Sequence, residues 1–193
     1  MLAGAGLFFW FETSMHPDSV IIAPASSQEE VAAIRQLFEE YAASLDVDLC
    51  FQNFSAELAG LPGYYAPPQG RLLLARVDGA PAGCVALRPH DTQSGEMKRL
   101  YVRPGQRGSG LGRRLVEQVI TEARSIGYTR LLLDSLPSMR TAIGLYESLG
   151  FVHREPYFPS PVTGNVYMEL RLSRGPAGAG PSKGPIKGPG PAR

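Results

Sequence analysis

The sequence predicts an α+β (mixed α/β) fold, a central and mostly antiparallel sheet of six to seven strands with helices on both faces. Three observations carry this. Short β-type runs alternate with amphipathic helical stretches through most of the 193 residues. An Asp78-Gly79 pair separates two apolar runs, the turn chemistry of a hairpin whose central residues need positive φ. The order after residue 103 is then helix, strand, helix, strand, so antiparallel strands give way to β-α-β-α-β and the sheet must be mixed.

Taken in order, "SVIIAPA" reads as the first strand. "SSQEEVAAIRQLFEEYAASL" follows as a helix, opened by a capping box (Ser26 with Glu29, or Ser27 with Glu30), with Val31, Ile34, Leu37, Phe38, Tyr41 and Leu45 on one face. A shorter helical piece spans about Asn53 to Ala59, and "GLPGYYAPPQG" is a loop by its glycine and proline content. "RLLLARV" and "AGCVALR" form the hairpin, and "EMKRLYVR" is the next strand. Beyond it, Leu111, Leu115, Val119, Ile120, Ala123 and Ile126 recur at helical spacing, with Gly127 as C-terminal cap. "YTRLLLD" is a buried-type strand, "SMRTAIGLYESLG" a helix closed by Gly150, and "NVYMELRL" a last strand.

Composition bounds the function classes. Residues 1–18 read as a poorly ordered extension, within which Met15 is a second possible start, and residues 19–173 as one domain. Residues 174–193, rich in glycine and proline, read as a disordered basic tail. A hydrophobic fraction of 44% and a charged fraction of 19% are ordinary for a soluble domain. The net charge is +1, and the tail's four basic residues and no acids leave −3 for the rest, so no basic stripe favours nucleic acid. The apolar start lacks a basic leader and is too short to span a bilayer. Cys50 and Cys84 form no CxxC pair, and His16, His90 and His153 are scattered, so we expect two buried thiols, a reducing cytoplasmic location and no metal. The expectation is therefore no nucleic-acid or membrane partner, with homodimerisation left open.

The chemistry concentrates in "RPGQRGSGLGRRL". A strand end, a glycine-rich turn and a helix N-terminus point several backbone N–H groups at one spot, a geometry that binds an anion, most often phosphate. Arg103, Arg107, Arg113 and Arg114 add positive charge. A glycine-rich turn with no ligand explains the same residues. A triphosphatase loop needs Gly-Lys-Ser/Thr where Gly112 meets Arg113, and a dinucleotide fingerprint needs glycine where Leu115 stands, although Asp134 imitates its ribose-binding acid.

"MKRLYVRPGQRGSGLGRRL" resembles the signature of the GNAT superfamily of N-acetyltransferases, whose acyl-CoA motif Arg/Gln-x-x-Gly-x-Gly/Ala is met by Arg107-x-x-Gly110-x-Gly112. "AIGLYESLGF" resembles the family's second landmark, LYxxxGF. The resemblance covers about Val20 to Leu172 and implies the GNAT fold, with its splayed parallel strand pair, and acetyl-CoA as acyl donor. It places the pantetheine along Leu100, Tyr101 and Val102, and the pyrophosphate on the main chain of Arg107, Gly108, Ser109, Gly110, Leu111, Gly112 and Arg113. It makes Tyr146 the proton donor to the leaving thiolate. Family members often carry an asparagine where this chain has Met139, which cannot supply the amide's hydrogen bonds.

The reaction needs a neutral amine, so a base must take its proton. Glu96 is the candidate, the alternative being an exposed strand-end carboxylate; Glu57 and Glu155 are lesser candidates. The expected acceptor is a small-molecule primary amine, with a protein N-terminus or lysine, or a non-catalytic acyl-CoA-binding module, as alternatives. By analogy it enters between the two aromatic loops, where Tyr64, Tyr65, Tyr157 and Phe158 could form walls or merely pack. Arg88 and Arg99 could meet an acceptor carboxylate, but read more simply as surface charges.

Overall fold

The computed structural model describes residues 19–45 and 53–172. The extension, the tail and Cys50 lie outside the described residues. Strands β1 (Val20–Pro24), β2 (Arg71–Val77), β3 (Ala80–Pro89), β4 (Ser94–Val102), β5 (Arg130–Ser135), β6 (Val152–His153) and β7 (Val166–Arg171) form one sheet in the order β1-β2-β3-β4-β5-β7-β6. Neighbours pair antiparallel except β4 and β5, which are parallel. The mixed sheet expected from the element order is therefore present. Two-residue β6 was missed because it is too short to show a period.

Helix α1 (Gln28–Ala43) settles the choice of capping box: Ser27 Oγ accepts the Glu30 N–H at 3.1 Å and the Glu30 carboxylate accepts the Ser27 N–H at 3.0 Å. Backbone N–H groups of Ser26 and Ser27 favour the ionised acid and hold the Glu30 carboxyl down at about 2. Asp78 and Gly79 take φ of +49° and +82°, as the hairpin turn between β2 and β3 requires. The helix expected from about Ser109 starts slightly later: α3 runs Leu111–Ile126, with Gly110 as N-cap and Gly127 at φ +102° as C-cap.

Two apolar clusters sandwich the sheet. On one face Leu115, Val116, Val119 and Ala123 of α3 are fully buried over Leu73, Val85, Leu87 and Met97. On the other, Ile34, Leu37 and Phe38 of α1 pack over Leu72, Leu74, Cys84 and Ala86, joined by Tyr65 beyond the short helix α2 (Phe54–Ala59). Helix α4 (Arg140–Ser148) lies beside α3, and its fully committed side chain is not the one its pattern favours: Tyr146 is buried, while Leu145 and Leu149 are half-buried.

Candidate functional site

The site begins where the sheet comes apart. Backbone pairing between β4 and β5 covers only Ser94 with Arg130, Gly95 with Leu131 and Glu96 with Leu132. Past that point β4 continues to Val102 and β5 to Ser135 without pairing to each other. A bulge sharpens the divergence. Between the pairs Cys84–Tyr101 and Ala86–Lys98, the single residue Val85 of β3 opposes two of β4, Arg99 and Leu100, and Arg99 sits at φ +57°. Such a bulge bends a strand and re-aims its side chains. Opposite it, Gly83 is obligatory, since a Cβ there would stand 2.7 Å from the Tyr101 carbonyl oxygen.

The resulting cleft, with about 40 Å³ of open volume, is lined by Met97 to Leu100 of β4, Leu133 to Ser135 of β5, and by Met139 and Tyr146 of α4. Tyr146 is 6% exposed, and burial pushes its phenol above the ordinary value, so the hydroxyl stays protonated. Met139 is the N-cap of α4 and makes no side-chain capping bond. At the far end of β4, Gly108 and Gly110 take φ of +81° and +83°, and a Cβ at either meets nothing within 4 Å; glycine here supplies backbone conformation rather than space. The N–H groups of Leu111, Gly112 and Arg113 precede the first helical bond, from Arg114 N–H to Gly110 O, and so face outward from the helix end.

The four arginines expected around this bend have separate duties. Arg103 is held by Glu40 at 2.7 and 3.0 Å and does not join the cluster. Arg107 donates to Val102 O at 3.1 Å and stacks 6.0 Å from the Tyr101 ring centre. Arg113 reaches Ser148 of α4 at 2.7 Å, and Arg114 donates to Val20 O at 3.2 Å.

Across β4 the face of Glu96 and Lys98 is polar and closed. Glu96 is 1% exposed, which rules out the exposed strand-end carboxylate. Its Oε2 accepts both Arg88 Nε and a terminal Arg88 nitrogen at 2.7 Å, the two residues being direct cross-strand partners. Its Oε1 accepts the Tyr157 hydroxyl at 3.0 Å and lies 3.7 Å from Lys98 Nζ. Lys98 in turn reaches Asp134 at 2.7 Å, spanning the split two residues past the last β4–β5 pair, and Asn165 donates to the other Asp134 oxygen at 3.3 Å. Burial, and then the charge of Glu96, drive the Tyr157 phenol well above its usual range, which leaves its hydroxyl a donor.

The expectation that Arg99 is a surface charge is wrong. It is 6% exposed and grips Glu57 through two nitrogens at 2.6 and 3.0 Å. Burial opposes the Glu57 charge, but the Arg99 hydrogen bonds and charge outweigh it and hold the carboxyl below its ordinary value. Glu155 is exposed.

Of the four aromatic candidates, Tyr64 is 79% exposed at the rim of a second pocket, whereas Tyr65 is a core residue whose hydroxyl donates to Glu57 at 2.7 Å. Tyr157 and Phe158 pack edge-on against each other and Tyr167, with ring centres 5.2 to 5.3 Å apart. The two loops are connected through Arg88, which lines the Tyr64 pocket, and Glu96, which receives Tyr157. The Lys98–Asp134 tie escaped the sequence reading. The only trace of it was the alternation of charged Glu96 and Lys98 with apolar Met97 in "EMKR", which marks a polar strand face without naming its partner on another strand. Among the described residues no group of His, Cys, Asp and Glu is arranged to hold a metal, and no helix is long and apolar enough to cross a membrane.

Comparison with known proteins matches residues 31–151 to the acetyltransferase (GNAT) family. An uncharacterised N-acetyltransferase of Schizosaccharomyces pombe is 39% identical over 162 residues, covering 83% of this chain and 99% of its own length. An IAA acetyltransferase of Azospirillum brasilense is 37% identical over 158 residues, covering 80% and 99%. Among solved structures, a GNAT acetyltransferase of Staphylococcus aureus aligns with a TM-score of 0.68 at 17% identity over 80% of this chain and all of its own. A Salmonella typhimurium protein solved with its cofactor acetyl-CoA aligns at 0.60 and 21% over 83% and 98%. With a family match over more than half the chain, and relatives matched over 99% of their own length, the chain belongs to the GNAT family of acetyltransferases and is an acyltransferase.

Proposed function

We propose that the chain transfers the acetyl group of acetyl-CoA to the primary amine of a small molecule, by direct attack in a ternary complex. The observation that carries this is the split between β4 and β5, which leaves one edge of β4 unpaired from Met97 onward and sets Tyr146 in the gap. The residues fit the donor. The free edge of Leu100, Tyr101 and Val102 offers backbone groups to the pantetheine amides, as an added strand would. The main chain from Arg107 to Arg113, with its positive-φ glycines and helix N-terminus, suits a pyrophosphate.

Acetyl-CoA supplies the acetyl group as a thioester, whose carbon–sulfur bond breaks as the new carbon–nitrogen bond forms. The chain supplies the rest. An acceptor ammonium, with an ordinary pKa near 10.4, must lose a proton first; Glu96 takes it, directly or through water. A backbone N–H of Leu100 to Val102 polarises the thioester carbonyl. Tyr146 donates a hydrogen bond to the departing thiolate. A thiol ordinarily titrates near 8.5, below the raised Tyr146 phenol, so Tyr146 stabilises the thiolate more than it surrenders its proton. The second nitrogen proton leaves as the amide forms, and the balance is one N-acetyl amine, one CoA thiol and one proton released.

A small acceptor is favoured because the pocket lined by Arg88, the partner of Glu96, holds about 320 Å³, near the lower end of ligand sites. The test is CoA release over a panel of amino acids, polyamines, arylamines and aminoglycosides, together with thermal shift. Acetyl-CoA should raise the melting temperature where NAD does not, and at least one amine class should be turned over. Tight acetyl-CoA binding with no turnover across the panel would overturn this reading.

A further inference from the structure

The pocket beside the proposed base is built around one incompletely used cation. Arg88 contacts Glu96 through Nε and one terminal nitrogen, both on the single oxygen Oε2. Its other terminal nitrogen has no partner among the described residues, and its side chain is 36% exposed, toward a pocket that it shares with Glu57, Pro62, Gly63, Tyr64 and Tyr65. The other acid of that pocket is already satisfied, because Glu57 accepts two hydrogen bonds from Arg99 and one from Tyr65.

Charge counting around Glu96 gives the pocket its chemistry. At rest the connected group balances: Arg88 and Lys98 are the cations, Glu96 and Asp134 the anions. Arg99 and Glu57 cancel separately. Once Glu96, 1% exposed, accepts a proton from the acceptor, Arg88, whose side chain is partly exposed to the pocket, loses its counter-ion. A partly buried cation without a counter-ion is disfavoured. A carboxylate on the same acceptor molecule, docked on the free side of Arg88, restores the balance as the proton transfers.

We propose that the acceptor is a short amino carboxylate, such as an α-amino acid, whose carboxylate binds Arg88 while its nitrogen faces Glu96. The close contact of Arg88 with Glu96 requires the two functional groups to lie only a few bonds apart. The exposed ring of Tyr64 and the proline and glycine beside it leave room for an apolar side chain. This inference rests on the reading of Glu96 as the base and of acetyl-CoA as the donor.

The experiment compares matched acceptors in a CoA-release assay on the full chain: L-phenylalanine against 2-phenylethylamine, L-leucine against isoamylamine, and each amino acid against its amide. The amino acids should exceed the carboxylate-free partners in kcat/KM by at least ~10-fold, as expected when a site's buried polar group would otherwise go unpaired. R88M should collapse that ratio toward one, and R88K should restore part of it. The thermal shift given by acetyl-CoA should survive in both variants, which shows that they are folded. Equal or better use of the carboxylate-free amines, a ratio unchanged by R88M, or no turnover of any amino acid although acetyl-CoA binds would each overturn the inference. Failure of the donor reading looks different: acetyl-CoA then leaves the melting temperature unchanged in the wild-type protein, and both readings fall together.

Discussion

The two sides of β4 are organised by opposite means. Toward α3 the site is mostly main chain, an unpaired strand edge, positive-φ glycines and a helix end, with Tyr146, Lys98 and Asp134 among the polar side chains lining the gap. Toward α2 and the Tyr157 loop it is made of side chains, with Arg88, Glu96, Lys98 and Asp134 in one chain of contacts and Arg99 with Glu57 beside it. Main-chain groups tolerate changes of side chain. A buried ionic network has one arrangement, and removing one member leaves its partner charged and unpaired. The donor side should therefore respond to substitution by degrees, and the acceptor side abruptly.

The sharpest break of that contrast is Glu96→Gln. It keeps the shape but removes the proposed base, and kcat/KM should fall by about 10²–10⁴-fold, the usual span for general base catalysis. Acetyl-CoA binding, measured by calorimetry, should be nearly unchanged, because Glu96 lies in the paired part of β4 while the pyrophosphate bend follows the strand's other end. Activity within a few fold of the wild type would remove Glu96 from the mechanism.

Tyr146→Phe comes next. A hydrogen bond to a charged group contributes about 1.5–3 kcal/mol, so kcat should drop roughly 10- to 150-fold with little change in KM for acetyl-CoA. Burial raises the Tyr146 phenol, so the wild-type pH–rate profile should show no loss assignable to Tyr146 ionisation below about pH 10. A collapse of stability in this variant would instead mark Tyr146 as a packing residue. Gly110→Ala should be milder in its effect on turnover. It places an L side chain at φ +83°, costs about 1–2 kcal/mol, and should raise KM for acetyl-CoA while leaving the kcat of the saturated enzyme almost intact.

The same division explains what could be read in the sequence. Main-chain sites leave local marks: the glycines at 108, 110 and 112, the helical spacing after Leu111 and the Asp78-Gly79 turn each act through their own backbone. The glycine bend, the helix after it and the mixed character of the sheet were thus legible. Side-chain networks leave almost none, because their partners are remote in the chain. Glu57 and Arg99 are 42 positions apart and Lys98 and Asp134 are 36; nothing near either residue announces the other. The bulge that sends Arg99 inward was equally silent, since it arises from a register shift between two strands rather than from a residue that demands it. Arginine on a strand is ordinarily a surface charge, and only the cross-strand geometry converts it to a buried one.

The gentlest probe of the acceptor side uses pH rather than chemistry. Burial alone would raise the Glu57 carboxyl, yet the hydrogen bonds and charge of Arg99 bring it below its ordinary value. A depressed folded-state pKa means that the stabilisation is fully present above the unfolded value, near 4.3, and is lost as pH falls through the lower folded value. The melting temperature should therefore hold steady down to about pH 4.5 and then decline. Other acids, Glu30 and Asp91 among them, share this behaviour, so the informative quantity is the difference from Glu57→Gln. That variant should start lower at pH 7, because Arg99 loses its counter-ion, and should then descend less steeply, so that the two curves converge in acid. At about 2–4 °C per kcal/mol for a domain of this size, the convergence is a matter of degrees. Parallel curves would show that Glu57 carries no pH-linked stability, and with it that the Arg99 pair is replaceable by a neutral hydrogen bond.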